Sequence, residues 1–268
     1  MQVPTAQVGG GATARFFLIF KAMANDPPVT GRIPENEVTT SYFIYKGYRL
    51  GLLLSHCNPE MTTMKLYYAP GACSLSPHIA LIESGLPFSI ERVDFNTRRT
   101  EAGEDYAAVN VRGYVPALRL DSGDVLTEGA AIVQFIADKA PASGLAPQAG
   151  TLQRARLQEA LNFIASELHK AFSPLFRPAT DEQGKQDARK AVALRLGQVE
   201  AMLSDGRAYL LGERFSVADG YLFTVVSWSG HAGIALDPWP KLQAFMGRLA
   251  QRPSIRQAIA AEGLPQAA

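Results

Sequence analysis

The chain has 268 residues, 47% hydrophobic and 19% charged, with a formal net charge of +1. That length suits one large or two ordinary globular domains, and the near-zero charge excludes the basic footprint of a nucleic-acid or membrane-surface protein. Its 2 cysteines, Cys57 and Cys73, make no disulfide framework, and no CxxC or Cys/His cluster is spaced for a metal, so a reducing compartment is the easier reading.

Residues 1–63 differ from the rest. They hold Gly9-Gly10-Gly11, Pro27-Pro28 and two short apolar islands. Phe16-Phe17-Leu18-Ile19-Phe20, ended by Lys21, is too short for the core of an export signal. Leu52-Leu53-Leu54 is far too short to span a bilayer. With no periodicity linking these pieces, we expect an extension without its own core, disordered or loosely attached. The lack of a credible export signal makes a cytoplasmic location the expectation.

The first convincing strand is Met64-Lys65-Leu66-Tyr67-Tyr68, short and aromatic. Ala69-Pro70-Gly71-Ala72 is a turn marked by its Pro-Gly pair. Helical spacing follows over 75–83, with Leu75, Ile79 and Ile82 on one face and Pro77 in the first turn. Cys73 therefore falls at a helix N-terminus, where free N–H groups and the helix dipole favour an anion. A thiol there is expected to have a lowered pKa and to act as a thiolate. The same place suits some other anionic sulfur.

Strands are next expected over 88–94 and, entered through Pro116, over 115–120; the polar stretch 97–109 between them reads as partly helical. Asp121-Ser122-Gly123-Asp124 is a hairpin turn, 125–127 pairs back, and 129–138 is an apolar helix. The order βαβ then ββα makes a small mixed sheet with helices packed on it.

Residues 141–150 form a linker of Pro, Ala, Ser and Gly, and everything beyond is helical. One long helix covers 151–171, ending before Pro174, and another covers 181–204. Ser216-Val217-Ala218-Asp219 resembles a capping box, with Asp in place of Glu or Gln, and launches the apolar stretch 221–228. Pro240 opens a further helix, Arg252-Pro253 stops it, and a short one ends near Gly263. On the first long helix Asn162, Ser166, His169 and Lys170 fall at i, i+4, i+7 and i+8, a polar stripe beside the apolar Leu161, Ile164, Leu168 and Phe172.

These residues resemble a known family. The run from Met64 to Ser74, MKLYYAPGACS, is similar to the opening of bacterial beta-class glutathione transferases. Val115-Pro116-Ala117-Leu118, Thr127-Glu128-Gly129, Glu167-Leu168-His169-Lys170 and Phe215-Ser216-Val217-Ala218-Asp219 match the same family in the same order. The resemblance leaves residues 1–63 uncovered. It implies a thioredoxin-like glutathione-binding domain over 64–140, an all-helical domain over 151–268, a homodimer, and glutathione as a substrate, with no cofactor or metal. Cys73 matches the family's cysteine, and His169 the histidine that approaches it; both are implied to be catalytic. Pro116 matches a cis-proline, so that Val115 offers its backbone to the cysteinyl part of glutathione. Glu128 and Gly129 match the motif that holds the γ-glutamyl end. Arg98, Asn162, Ser166, His169 and Lys170 match further glutathione-binding positions. Two departures stand out: Arg98 replaces a point-like Lys charge by a fork, and Gly129 lacks the hydroxyl that many relatives carry there.

Glutathione's thiol titrates near free Cys, so lowering its pKa by about two units takes roughly 2.7 kcal/mol of differential stabilisation. A helix N-terminus supplies about 0.3–1 kcal/mol of it. His169, Ser74 and the Cys73 backbone are the candidate donors for the rest. The expected reaction is attack of the glutathione thiolate on an electrophilic, mostly apolar partner, with peroxidase or disulfide-exchange chemistry available to the same sulfur. Phe172, Phe176 and Trp228 are candidates to line the electrophile's pocket. The rival reading is a non-catalytic glutathione-binding or interaction protein on the same fold. His78 reads as a surface or packing residue, Tyr68 as core, and Ser216 with Asp219 as a helix cap.

Overall fold

The computed structural model describes residues 40–45, 48–53 and 64–265. The chain divides into two units, Met1–Glu60 and Met61–Ala268. In the first, β1 (Thr40–Tyr45) and β2 (Tyr48–Leu53) form an antiparallel pair, with Thr40 opposite Leu53 and Tyr45 opposite Tyr48. No strand is expected there from the sequence pattern. The pair needs only backbone hydrogen bonds between two β-prone segments, and neither segment alternates cleanly. The rest of the expectation for residues 1–63 lies outside the described residues.

The second unit begins with β3 (Met64–Tyr68), α1 (Leu75–Ser84) and β4 (Phe88–Asp94). β3 and β4 run parallel, with Leu66 opposite Ile90, as a crossover through α1 requires. The short β5 (Arg99–Thr100) turns back along β4, and the hairpin β6 (Ala117–Arg119) and β7 (Val125–Thr127) completes a sheet ordered β5-β4-β3-β6-β7. β6 lies antiparallel to β3. α3 (Gly129–Lys139) packs back on the sheet and on α1. Within 97–109 only α2 (Tyr106–Val109) is helical, capped by the Asp105 carboxylate, which accepts the Ala107 N–H. Arg98 has φ 59°, and that left-handed residue stops any earlier helix.

The remainder is helical. α4 (Leu152–Phe163) runs into one wide π turn, Ile164–Leu168, and then α5 (His169–Phe172). α6 (Glu182–Met202), α7 (Val217–His231), α8 (Pro240–Ala250) and α9 (Pro253–Ala261) follow. The π turn corrects the expectation of one regular helix over 151–171. It winds out of register with a 3.6-residue period, so the stripe of Asn162, Ser166, His169 and Lys170 is broken. The apolar partners Leu161, Ile164, Leu168 and Phe172 are nonetheless all buried.

One core joins the sheet half to the helical half. It takes in Leu66 and Leu118 from the sheet, Ile79 from α1, Ile132 from α3, Leu161 from α4, and Leu222 and Val225 from α7. α7 is apolar nearly all round because it is buried nearly all round. Its start is held as the cap motif predicts. Asp219, fully buried, accepts from Ser216 N–H (2.8 Å), Ser216 Oγ (2.7 Å) and Leu210 N–H (2.7 Å). The end of α1 is tied to the α8–α9 turn, where Arg252 donates to Glu83 at 2.6 and 2.8 Å and lies 4.0 Å from the Phe215 ring centroid.

Asp219→Ala leaves three donors at a buried helix start without their acceptor, and should cost about 2–4 kcal/mol. Denaturant unfolding at pH 7 checks this, and a loss under 0.5 kcal/mol, the size of an ordinary surface change, would contradict it.

Candidate active site

The turn between β3 and α1 carries Cys73. Gly71, with φ 69°, takes a conformation open chiefly to glycine. Its two backbone groups are both held from the helical half. The Gly71 N–H donates to Glu262 Oε2 at 2.9 Å, and the Trp228 indole N–H donates to Gly71 O at 2.8 Å. The other Glu262 oxygen meets His78 Nδ1 at 2.9 Å. His78 is thus a buried packing residue with a named partner. Inside the turn, buried Ser74 Oγ accepts from Ala69 N–H (3.1 Å) and donates to Ala69 O (3.2 Å). That hydroxyl is committed to the turn, which corrects its place among the sulfur's candidate donors; only the Ser74 backbone N–H addresses the sulfur.

The half-buried Cys73 thiol donates to Val115 O, with Sγ 3.1 Å from the oxygen. Burial pushes its pKa up to about 11, outweighing the backbone N–H groups of Cys73 and Ser74 and the charge of Lys170, all of which pull it down; Glu128 raises it further. The expectation of a Cys73 thiolate is therefore wrong for the free protein. The helix N-terminus is present, but desolvation of the sulfur is the larger effect.

Val115 leads into β6, an inner strand of the sheet, through a cis peptide bond to Pro116. The preceding carbonyl, Tyr114 O, accepts from Tyr106 Oη (2.8 Å) and Asn110 Nδ2 (2.7 Å), which fixes the approach to β6. Glu128 stands just before α3 with φ 69°. A non-glycine residue held there costs about 1–3 kcal/mol, and such strain gathers at functional sites. Its exposed carboxylate accepts from Arg112 at 2.8 Å. At Gly129 an added Cβ would lie 3.8 Å from Pro116 Cγ and 3.9 Å from Tyr221 Oη, so crowding does not forbid a side chain there.

From the helical half come His169, Tyr221 and Trp228. His169 Nδ1 is 3.0 Å from Tyr221 Oη, and its ring lies 4.8 Å from the Trp228 ring between centroids. His169 is thereby lodged between the residue that holds Gly71 and the residue that touches Gly129. Burial, and secondarily Lys170, lowers its pKa to about 4, so it is a neutral imidazole at pH 7. Phe176 stacks on Phe172 at 6.4 Å and meets Trp228 edge-on.

Of the residues singled out from the sequence, Cys73, Val115, Glu128, Gly129, His169 and Lys170 come together between the β3–α1 turn, the start of α3 and α5. Asn162 and Ser166 are exposed, and Ser166 Oγ donates to Asn162 O at 2.8 Å. No hydrogen bond ties either side chain to Cys73, Val115 or Glu128 among the described residues. Exposed Arg98 has its guanidinium against Gly113, where an added Cβ would meet Nη1 at 2.7 Å. Phe172 is fully buried, so it backs the pocket instead of lining it, and Phe176, half exposed, is the aromatic surface left. Tyr221, Arg112 and Glu262 were not foreseen. Tyr221 is the one hydroxyl-bearing ring in an apolar helical stretch, and that was its only signal. Among the described residues no group of three or more His, Cys, Asp or Glu side chains is arranged for a metal.

Family models match two parts of the chain: the glutathione S-transferase N-terminal domain over residues 71–139 and the glutathione S-transferase C-terminal domain over residues 163–253. Glutathione S-transferase GstA of Escherichia coli O157:H7 is 47% identical over 201 residues, which is 75% of this chain and 100% of that protein. The solved ternary complex of BphK, a bacterial GST, is 55% identical with a TM-score of 0.73, over 75% of this chain and 100% of that one. A bacterial beta-class glutathione S-transferase from Sphingomonas chungbukensis is 50% identical with a TM-score of 0.73, again over 75% and 100%.

Because the Cys73 thiol titrates at about 11, it should alkylate more slowly than free cysteine at pH 7. Its rate should climb steadily as the pH is raised toward that value. Iodoacetamide labelling read by peptide mass spectrometry separates Cys73 from Cys57. A rate that is already maximal at pH 7 would contradict the neutral thiol.

Proposed function

The chain belongs to the glutathione S-transferase family, with the beta-class fold of a mixed-sheet half and a helical half, and from that membership we propose which of its residues carry the transfer. The enzyme conjugates glutathione: the thiol gives up its proton, its sulfur bonds to an electrophilic carbon, and the leaving group departs with the electron pair. One observation supports the assignment of roles. The site's own cysteine is a neutral thiol bonded to Val115 O. The sulfur that reacts is then the substrate's, and Cys73 is its uncharged neighbour.

In this reading the Val115 backbone pairs with the cysteinyl part of glutathione as an added strand would. Glu128 takes the ammonium of the γ-glutamyl end, joined by the Gly129 backbone N–H. Arg98 takes a carboxylate, and Asn162, Ser166 and Lys170 complete the binding set. The sulfur comes to lie against the first N–H groups of α1 and the His169 ring, with the Lys170 charge nearby. Together these supply the roughly 2.7 kcal/mol that a two-unit drop in its pKa needs. The electrophile is apolar and rests on Phe176 beside Trp228. Residues 141–150 link the two halves. A homodimer is supported by the exposed Val111 and Tyr114 in the segment leading to Val115, at 91% and 64% exposure. A cytoplasmic setting is supported by the unpaired Cys73 thiol.

Calorimetry with glutathione tests these roles. Glu128→Ala should weaken binding by about 10- to 100-fold, the loss of one charge-assisted contact, and Cys73→Ala should keep conjugation within about tenfold of the parent. Unchanged binding in the first, or abolished conjugation in the second, would overturn the assignment.

A further inference from the structure

A neutral imidazole has one donor and one acceptor nitrogen, and the tautomer decides which of them a bound sulfur meets. Tyr221 on α7 is 3% exposed, and its Oη lies 3.0 Å from His169 Nδ1. The rings meet edge to face, with centroids 6.2 Å apart. The same hydroxyl sits 3.9 Å from the Cβ position of Gly129, so one side chain reaches from the helical half to the end of the pocket where α3 begins. Trp228 packs on the imidazole at 4.8 Å between centroids while its own N–H holds Gly71 O. His169 is therefore fixed in place by two α7 side chains.

We infer that Tyr221 is a positioning residue for the transfer: it donates its hydroxyl to Nδ1 of His169, so the ring carries its proton on Nε2 and meets the glutathione sulfur as a hydrogen-bond donor, not as a base. The inference rests on the reading in which glutathione occupies this pocket. The phenol dictates the direction of the bond. Its proton is buried and needs an acceptor, and His169 Nδ1 is the hydrogen-bond partner of Tyr221 Oη among the described residues. Were Nδ1 protonated, the phenol O–H would be left buried without a partner, at the full cost of its desolvation.

The electrostatics agree. Burial raises the Tyr221 phenol above its ordinary value, with Cys73 and Glu128 adding to the rise. Burial and Lys170 lower His169 to about 4. Both groups are neutral at pH 7, so the contact is a neutral hydrogen bond, and the buried phenol's need for an acceptor makes the phenol its donor. Lys170 on the helix of His169, Cys73 in the β3–α1 turn and Glu128 before α3 are the other titratable or charged groups facing the pair. Gly129 fits the same scheme. A serine there would set a second acceptor beside the phenol, whereas glycine leaves it directed at His169. The proton released by glutathione then passes to solvent, and His169 Nε2–H stabilises the anion that remains.

Two measurements test this. Long-range 1H–15N correlation spectra of the ligand-free protein, with the His169 signal assigned by its loss in His169→Gln, should show the Nε2–H tautomer. In Tyr221→Phe, which keeps the ring, the signal should become a mixture of tautomers or shift to Nδ1–H. An Nδ1–H signal in the parent protein, or an unchanged spectrum in the variant, overturns the inference, and the parent spectrum decides it even if the variant does not fold. With glutathione bound, the thiolate absorbance of Tyr221→Phe should titrate about one unit higher than in the parent, with kcat/KM about tenfold lower at neutral pH and KM for glutathione little changed. Equal titration curves overturn it as well. If the parent protein binds no glutathione, the binding reading fails by itself, and the tautomer result still stands or falls on its own spectrum.

Discussion

Both backbone groups of Gly71 are held by side chains far along the chain: Trp228, 157 residues away, and Glu262, 191 residues away. Each bond is worth only about 1 kcal/mol net, but leaving either group buried and unpaired would cost more. The turn that carries Cys73 and starts α1 is therefore shaped by the helical half, not by its own sequence alone. α7 serves as the common support, since Trp228 grips the turn and Tyr221 grips His169 from the same helix. The site exists only when the sheet half and the helical half share their core.

The same packing decides the electrostatics. A helix N-terminus offers an anion about 0.3–1 kcal/mol. Burial, with Glu128, outweighs the backbone N–H groups and Lys170 and pushes the Cys73 thiol up to about 11, in the opposite direction. Burial wins for this sulfur, which donates its own hydrogen to Val115 O. A substrate sulfur needs more than the helix end to become charged here. A neutral imidazole that presents an N–H is the group able to add to it, because a dry pocket strengthens any donor aimed at an anion.

Local chemistry was legible in the sequence. The 121–124 hairpin turn and the Ser216–Asp219 cap each depend on a few adjacent residues, and each forms as read; the Pro70-Gly71 turn also forms where it is read, with distant partners completing it. The βαβ and ββα pattern implies the mixed sheet with its parallel and antiparallel parts, but not β5, which lies in a stretch that reads as partly helical. What escaped depends on distant partners. The π turn at Ile164–Leu168, which runs directly into His169, has no mark in a 3.6-residue apolar pattern. Ser74 reads as a donor to sulfur from its place in the sequence, but its hydroxyl is bonded to Ala69. Arg112 on Glu128 joins residues 16 apart, and His169 on Tyr221 joins residues 52 apart. The charge state of Cys73 was misjudged because its burial is not written in the residues around it.

In the proposed function this site holds the sulfur of bound glutathione as its anion. Ultraviolet difference titration of the complex reads that directly. The thiolate band should appear about two pH units below its position for glutathione in solution. A band that rises at the same pH in both would contradict the account.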